Sequence, residues 1–246
     1  RETFADDVAL LHYVGIRPII VHGGGPHINR AMARHGLEPL WIDGLRVTDA
    51  ETIKVVQSVL VGEVNPDIVR LVNAHGSLAA GVSGLDGNLL VAAPKDERLG
   101  YVGEITRVDP SILLGLQAQG YVPVVAPLAR GLDGEPYNVN ADTAAAAIAV
   151  AVGAAKLVYL TDVEGLYRDL SDPGSLISVI DVDGLRSLMA GGSVSAGMLP
   201  KLESCLAAIG GGVERAHILD GRIQHTVLLE IFTPEGIGTM VSKETP

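Results

Sequence analysis

Three consecutive glycines, Gly23 to Gly25, follow a short apolar run and precede Pro26. Residues without a Cβ let backbone N–H groups approach an anionic ligand closely. Pro26 suits the first turn of a helix, and a helix N-terminus favours negative charge. The run therefore predicts a strand, a tight loop and a helix that hold a phosphate or a carboxylate, without the Gly-Lys-Ser/Thr ending of a P-loop. A glycine-rich turn used only for packing is the alternative.

The composition predicts an α/β fold. Hydrophobic residues make up 48% of the 246 residues but aromatic residues only 4%, so the core consists of Val, Ile, Leu and Ala. Such a core suits parallel strands that are buried on both faces by Ala-rich helices. Apolar runs alternate with Gly/Pro turns along the chain, which predicts a three-layer α-β-α sandwich around a mostly parallel central sheet. Residues 89–93 and 100–108 predict a β-hairpin within it.

A Gly/Pro-rich connection at residues 128–138 divides the predicted fold into two lobes, 1–130 and 131–246. We expect the lobes to share one continuous sheet, with ligands at the carboxyl ends of its strands where the lobes meet.

The net charge limits the kinds of partner, and the cysteine content indicates the cellular compartment. The formal net charge of −11 argues against nucleic acid and against an anionic membrane surface. The single cysteine, Cys205, excludes an internal disulfide framework and fits a reducing cytosol. We find no signal peptide and no apolar run long enough to span a bilayer. The expectation is a cytoplasmic protein without a membrane partner.

Two polar segments follow predicted strands in the first half of the chain. Arg46 precedes a helix whose start is marked by a capping box from Thr48 to Glu51. An arginine there can bind a carboxylate through two parallel N–H···O bonds, although a surface arginine that caps a loop is the alternative. Asn138, Asn140 and Asp142 enter an Ala-rich helix. A helix cap is the alternative interpretation, but a cap would need only one of these three polar groups. The three together therefore indicate a further role.

Two further segments lie in the second half. Thr161 to Tyr167 is a strand end with an acid and a glycine turn, which also fits an ordinary turn. Lys201 follows Pro200 in a predicted first helical turn, where the helix dipole disfavours a cation unless a polyphosphate is bound. A solvated lysine is the alternative. Together the segments indicate phosphoryl transfer, which needs positioning and charge neutralisation more than a strong nucleophile. We interpret His22 as a hydrogen-bonding residue rather than a catalyst.

Five motifs occur in a fixed order: Val-His-Gly-Gly-Gly-Pro at 21–26, Gly-Leu-Arg-Val-Thr at 44–48, Tyr-Asn-Val-Asn-Ala-Asp at 137–142, Thr-Asp-Val-Glu-Gly-Leu-Tyr at 161–167 and Gly-Met-Leu-Pro-Lys at 197–201. With them the chain resembles the acetylglutamate kinases of the amino acid kinase superfamily over essentially its whole length. The Gly-Leu-Arg-Val-Thr run distinguishes acetylglutamate kinases from other members of the superfamily, since uridylate and aspartate kinases share glycine loops but not that run. The resemblance implies ATP-dependent phosphorylation of the side-chain carboxylate of N-acetyl-L-glutamate, the second step of arginine biosynthesis.

The resemblance also implies roles for individual residues. The first lobe would bind acetylglutamate and form the dimer, and the second would bind ATP. The implied substrate-binding residues are Gly24, Gly25, Arg46 at the α-carboxylate, Asn138 at the acetylamino group, and Asn140. The implied catalytic residues are Lys201, which stabilises the phosphoryl group, Asp142, which orients the active-site lysines, and Gly24. No general base is required, because a carboxylate is already a nucleophile at neutral pH.

The implied nucleotide site lies in the second lobe. Its residues are Asp162, Val163, Glu164, Gly165, Leu166, Tyr167, Ser193, Val194 and Ser195. Mg²⁺ would bridge the ATP phosphates, without a set of protein ligands of its own.

Residues 217–222, 229–232 and 236–239 look like the arginine-sensitive branch of the family. L-Arginine is then a hypothetical feedback inhibitor whose cation Glu230 would contact near Gly236; a surface acid beside a glycine turn is the alternative. We expect a homodimer, or a hexamer that is a trimer of dimers. The family begins with a strand that ends in Lys-x-Gly-Gly, and this sequence has no such motif before the glycine loop. We expect this strand upstream of Arg1; the alternative is that the protein has lost one of two charge-stabilising lysines. Without that lysine we expect low activity.

Rival interpretations are another carboxylate or nucleotide kinase of the same superfamily, and a non-catalytic amino-acid-sensing module of the same fold. A dinucleotide-binding oxidoreductase is disfavoured, because no Gly-x-Gly-x-x-Gly follows a strand.

Overall fold

The computed structural model describes residues 2–169, 171–191, 194, 197–233 and 236–244. Backbone contacts divide the chain into two compact units, Arg1–Ala144 (unit 1) and Ala145–Pro246 (unit 2). The division lies later in the chain than the connection at 128–138, because the strands within that connection pair with each other and with a strand of unit 1.

The helices of unit 1 are α1 Glu2–Tyr13, α2 Gly25–Arg34, α3 Ala50–Val59, α4 Asn65–Asn73 and α5 Ser111–Ala118. Its strands are β1 Ile20–Val21, β2 Trp41–Ile42, β3 Leu45–Arg46, β4 Ala79–Ser83, β5 Leu90–Pro94, β6 Gly103–Val108, β7 Val122–Ala126, β8 Leu128–Gly131 and β9 Pro136–Asn138. A π-helical segment, Leu60–Val64, joins α3 to α4, and short 3-10 turns lie at Asp86–Asn88 and Glu97–Leu99.

A parallel three-stranded sheet in the order β1-β7-β4 lies in the core of unit 1. All five residues of β7 are buried, as expected for a central parallel strand covered on both faces. Val122 and Val124 belong to one apolar cluster with α1 and α4, whereas Ala126 belongs to another with α2 and α3. The sheet therefore carries the glycine loop that follows β1 on a rigid base.

A second sheet of unit 1 has the order β6-β5-β8-β9. Its β5–β6 pair is antiparallel, which confirms the predicted hairpin. Pro127 separates β7 from β8, and proline donates no N–H to a sheet. The chain leaves the parallel sheet at that residue. β8 then pairs with β5 and with β9, which keeps residues 128–138 in unit 1.

α6, Ala141–Ala151, begins at the end of unit 1 and continues into unit 2. The other helices of unit 2 are α7 Val182–Ala190, α8 Leu199–Gly210 and α9 Thr226–Phe232. Its strands are β10 Lys156–Thr161, β11 Leu166–Tyr167, β12 Leu176–Ile177, β13 Val179–Asp181, β14 Arg215–Asp220 and β15 Thr239–Ser242, with a 3-10 turn at Pro173–Ser175.

The main sheet of unit 2 is mixed, in the order β10-β14-β15-β13. β10 and β14 are parallel, β14 and β15 are antiparallel, and β13 and β15 are parallel. Small side chains of α6 and α8, such as Ala146, Ala149 and Cys205, pack with Leu202 and Ile218 in one core cluster. Close packing of helix on sheet explains the high alanine content of α6.

The architecture is α/β, with largely parallel sheets and helices, as predicted. The single continuous sheet was a wrong expectation: the described strands form separate hydrogen-bonded sheets, each within one unit. Within the described residues, no helix combines the length and the apolar character that crossing a membrane requires.

Candidate active site

The glycine loop joins β1 to α2 in unit 1, as predicted. Pro26 lies in the first turn of α2, and no side chain caps this helix. A Cβ on Gly24 would lie 2.6 Å from Leu60 Cδ2, whereas a Cβ on Gly25 would meet open space. The φ of Gly24 is −163°, outside the positive-φ region that favours glycine. The close approach of the buried Leu60 side chain is therefore what favours glycine at position 24.

One cavity of about 180 Å³ in unit 1 contains the glycine loop. The predicted substrate-binding residues Gly24, Gly25, Arg46, Asn138 and Asn140 all line it, although they come from three separate motifs. The remaining lining residues are Gly23, Ile28, Trp41, Gly44, Leu45, Leu60, Val102, Pro127, Val139 and Ala141. Backbone amides, one guanidinium and two carboxamides thus share a small cavity with apolar walls.

A short hairpin places Arg46 in this cavity. Asp43 and Gly44 both have positive φ, 50° and 77°, the conformation of a two-residue type I′ turn between antiparallel strands. The pairing of β2 with β3 sets Trp41 opposite Arg46. The guanidinium carbon lies 4.5 Å from the centroid of the Trp41 ring, within the range of a cation–π contact.

The Arg46 guanidinium is buried among neutral groups. The residue is 5% exposed, so the surface-arginine alternative is wrong. Its Nη2 donates to Asn29 Oδ1 at 2.5 Å and its Nη1 to Met32 Sδ at 3.2 Å. None of the ion pairs found in the described part of the chain involves it. Desolvation lowers the pKa of Arg46, but an arginine stays charged. A buried cation without an anionic partner is costly, and a carboxylate ligand would supply that partner.

Thr48 connects Arg46 to Asn138, which the sequence did not indicate. The capping-box expectation was wrong, because Asp49 rather than Thr48 caps α3 by accepting from Thr52 N at 2.7 Å. Thr48 is fully buried and its Oγ1 donates to the Arg46 carbonyl at 2.9 Å. The same oxygen accepts from Asn138 Nδ2 at 3.4 Å. Thr48 is therefore hydrogen-bonded to two candidate ligand-binding residues, Arg46 and Asn138.

Asn140 and Asp142 begin α6. The Asn140 Oδ1 accepts from Thr143 N at 3.0 Å, so this residue is a helix cap as well as a lining residue. Asp142 lies half-buried in the first helical turn and is not among the residues that line the cavity.

The predicted nucleotide loop of unit 2 follows β10. A Cβ on Gly165 would lie 2.6 Å from Thr239 Oγ1, and this oxygen accepts from Leu166 N at 2.8 Å. The Tyr167 hydroxyl donates to Glu164 Oε2 at 2.5 Å. The close glycine contact and the bond to Thr239 hold the loop against β15, and the Tyr167–Glu164 bond lies within the loop. Val194 packs at the edge of the unit 2 core, and Ser193 and Ser195 lie outside the described residues.

Arg222 is a cation beside this loop that the sequence did not single out. It follows β14, whose Asp220 pairs in register with Thr161 at the end of β10. Arg222 Nη2 donates to Asp220 Oδ2 at 2.7 Å, and this pairing keeps the pKa of the buried Asp220 low. Lys201 lies in the first turn of α8 after Pro200, as predicted.

Glu230 and His217 form a buried pair in unit 2. His217 Nδ1 lies 2.7 Å from Glu230 Oε1, and the side chains are 3% and 6% exposed, so the surface-acid alternative is wrong. Glu230 Oε2 accepts from Ile237 N at 2.8 Å, next to Gly236, whose φ is +60°. The bond to His217 is the largest effect that lowers the pKa of Glu230. Nε2 of His217 is buried without a partner among the described residues.

Comparison with known proteins identifies the family. The sequence profile of the amino acid kinase family matches residues 1–220. The acetylglutamate kinase of Pelotomaculum thermopropionicum is 50% identical over 99% of this chain and 86% of its own length. That of Acidothermus cellulolyticus is 53% identical over 97% of this chain and 84% of its own. The chain belongs to the amino acid kinase family, and within this family it belongs with the acetylglutamate kinases.

Solved structures agree with this grouping. N-acetylglutamate synthase from Neisseria gonorrhoeae, complexed with coenzyme A and N-acetyl-glutamate, matches 100% of this chain with a TM-score of 0.86 and 30% identity. This chain spans 56% of that synthase. Carbamate kinase from Giardia matches with a TM-score of 0.73 at 14% identity, which supports the fold alone.

Proposed function

We propose that this protein transfers the γ-phosphoryl group of ATP to the side-chain carboxylate of N-acetyl-L-glutamate in arginine biosynthesis. Identity of 50% or more to acetylglutamate kinases over nearly the whole chain supports the reaction. The observation that carries the proposal is the buried guanidinium of Arg46, which shares a cavity with the glycine loop and has no acidic partner among the described residues.

In this proposal unit 1 binds the acceptor. Arg46 binds the α-carboxylate through charge-assisted hydrogen bonds, and Asn138 binds the acetylamino group. Apolar residues such as Ile28, Leu60 and Val102 fit the methyl and methylene groups. The N–H groups of Gly24 and Gly25 hold the side-chain carboxylate, whose oxygen attacks phosphorus while the bond from the γ-phosphorus to the β–γ bridging oxygen breaks. ADP then leaves with the electron pair of that bond.

Unit 2 supplies the nucleotide side of the reaction in this proposal. The loop from Asp162 to Tyr167 binds ATP, and Lys201 stabilises the charge that develops on the phosphoryl group and on the leaving oxygen. Asp142 orients the ammonium groups of the active-site lysines. Mg²⁺ accompanies ATP, because phosphate oxygens are ligands that this ion prefers, and it neutralises phosphate charge when bound.

An assay of acceptors tests the reaction. The full-length gene product is assayed for ADP formation with N-acetylglutamate, glutamate, aspartate, carbamate and uridine monophosphate. We expect turnover with N-acetylglutamate and little with the others, since glutamate carries a cation in place of the acetylamino group. A preference for another acceptor would favour a different kinase of the superfamily. Absence of turnover with every acceptor, with acetylglutamate still bound, would favour the sensing module.

We further propose that L-arginine binds unit 2 as a feedback inhibitor and that the protein is a homodimer or a hexamer. The buried carboxylate of Glu230, whose pKa is low, is an anion suited to a guanidinium or ammonium group near Gly236. The Neisseria synthase was also solved with L-arginine, at 30% identity and a TM-score of 0.82. That ligand supports an arginine site in this fold.

A further inference from the structure

His22 links the parallel sheet to the glycine loop. It directly follows β1, is 7% exposed, and its N–H donates to the Val125 carbonyl of β7 at 3.2 Å. Its ring makes two contacts. Nε2 lies 3.1 Å from Asn65 Nδ2, and Nδ1 lies 3.0 Å from the carbonyl oxygen of Gly23.

The surroundings of Asn65 determine the tautomer of His22. Asn65 Nδ2 donates to the Val124 carbonyl at 2.8 Å, so this atom is the amide nitrogen, which only donates. The His22 Nε2 that faces it must therefore accept, and the neutral ring carries its proton on Nδ1. That proton faces the Gly23 oxygen. Burial lowers the pKa of His22, which agrees with a neutral ring.

Asn65 is itself held in place. It is the first residue of α4, directly after the π-helical segment, and it is 6% exposed. A Cβ on Gly81 would lie 2.1 Å from Asn65 Oδ1, so β4 accommodates this side chain only because residue 81 is a glycine. The Asn65 amide is thus packed closely against β4, and its Nδ2 lies within hydrogen-bonding distance of His22 Nε2.

The contact with His22 fixes one peptide group of the loop. The Gly23–Gly24 peptide is trans, so the Gly24 N–H points away from the Gly23 carbonyl. The Gly24 carbonyl accepts from Ile28 N at 2.9 Å. Both carbonyls are therefore engaged, whereas no backbone acceptor for the Gly24 N–H is found in the described residues. A glycine pair rotates easily, so its orientation has to be imposed from outside.

We propose that His22, held by Asn65, is a positioning residue that orients the Gly23–Gly24 peptide and thereby presents the Gly24 N–H to the acceptor carboxylate. The inference rests on the proposed function for the identity of the acceptor. Removing one preorganised donor of this kind costs on the order of 100-fold in kcat in other enzymes.

Two substitutions separate this role from simple packing. His22→Asn keeps an N–H at the position of Nδ1, whereas His22→Gln keeps a polar group toward Asn65 and loses the donor to Gly23. We expect kcat with acetylglutamate to fall on the order of 10- to 100-fold in His22→Gln and less than about 5-fold in His22→Asn, with the KM for ATP unchanged in both. Equal kcat in the two variants would overturn the positioning role.

A measurement without turnover completes the test. The ¹⁵N NMR shifts of the imidazoles report the tautomer, and His22→Asn identifies the His22 signals by their loss. We expect a protonated Nδ1 and an unprotonated Nε2 at pH 7.5; the opposite tautomer overturns the inference even if His22→Gln fails to fold. If the tautomer is as expected but the wild type does not phosphorylate acetylglutamate, the proposed function fails and the orientation of the loop stands.

Discussion

Arg46 keeps its charge for a ligand because its neighbours in the wall are neutral. Asn29, Met32 and Trp41 supply an amide oxygen, a sulfur and an aromatic face. A carboxylate in any of these places would orient the guanidinium equally well but would neutralise it. The arrangement therefore favours a ligand that brings its own negative charge.

Replacing Arg46 tests whether its guanidinium binds a carboxylate ligand. We expect Arg46→Ala to raise the KM for acetylglutamate on the order of 100-fold, because a charge-assisted hydrogen-bonded pair contributes about 1.5–3 kcal/mol. The KM for ATP should change less than about 2-fold. Steady-state kinetics measure both values, with Arg70→Ala, an exposed arginine of α4, as the matched control. Equal effects on both substrates would exclude a dedicated carboxylate contact.

Lys201 is expected to act in the chemical step. Lys201→Ala should lower kcat on the order of 100-fold, since it removes a cation that stabilises transition-state charge, and should leave acetylglutamate binding nearly unchanged. Single-turnover kinetics and calorimetric binding give the two values separately. Substitution of Lys156, an exposed lysine at the start of β10, is the control. Normal turnover of Lys201→Ala would remove this residue from the mechanism.

Burial of His22 predicts a loss of stability in acid. Its pKa is lowered in the folded protein, so below the ordinary value of about 6.5 the unfolded chain binds a proton that the folded chain does not. The free energy of unfolding should therefore fall as the pH drops below 6.5, by at most about 1.4 kcal/mol per pH unit for this residue, and the effect should level off below the folded pKa.

Urea unfolding of the wild type and of His22→Asn between pH 7.5 and 5 measures the effect. The variant lacks the titrating group, so the stability difference between the two proteins should shift in favour of His22→Asn on acidification. A constant difference would contradict a lowered pKa.

The β2–β3 hairpin is the element that places Arg46 in the unit 1 cavity. Its two-residue turn fixes the register, and the register sets Trp41 opposite Arg46. Trp41 is the one tryptophan of the chain and is 52% exposed, so it reports on the cavity wall directly.

Substitution of Trp41 tests the hairpin. Trp41→Ala should raise the KM for acetylglutamate about 3- to 10-fold, in line with about 0.5–1.5 kcal/mol for a half-exposed cation–π contact, whereas Trp41→Phe keeps an aromatic face and should stay within about 2-fold. In the wild type, titration with acetylglutamate should change the tryptophan fluorescence and saturate. Identical KM values for the alanine and phenylalanine variants would show that the ring does not hold Arg46.

At the scale of the whole molecule, an acidic protein binds anions through a few local cations. The formal net charge is −11, yet Arg46, Lys201 and Arg222 lie at or next to the segments proposed to bind carboxylate and phosphate. Arg46 belongs to unit 1, whereas Lys201 and Arg222 belong to unit 2. The two units therefore carry separate parts of the proposed reaction.

Regulation by arginine is a prediction for the whole protein. Isothermal titration with L-arginine should give a saturable heat for the wild type, and Glu230→Gln should weaken binding at least about 10-fold, because it removes the anion that faces the effector. Kinase activity without arginine should be similar in both proteins. Glu203→Gln, an exposed glutamate of α8, is the control. Absence of heat in the wild type would exclude the effector.

The sequence by itself determined the α/β class, the strand–loop–helix at the glycines, the hairpin of residues 89–108 and five of the residues that line the unit 1 cavity. These features are encoded locally, by apolar periodicity, by glycine and proline, and by short motifs, so they can be predicted without knowing what packs against them.

Only the tertiary structure decided how those residues are held. Leu60 approaches position 24 too closely for a side chain there, Asn65 contacts the ring of His22, and Thr48 contacts Asn138 while Asp49 caps the helix. Each contact except the helix cap joins residues from different elements of the chain. No local pattern encodes such a pair, because burial and hydrogen bonding depend on which elements the folded core brings together.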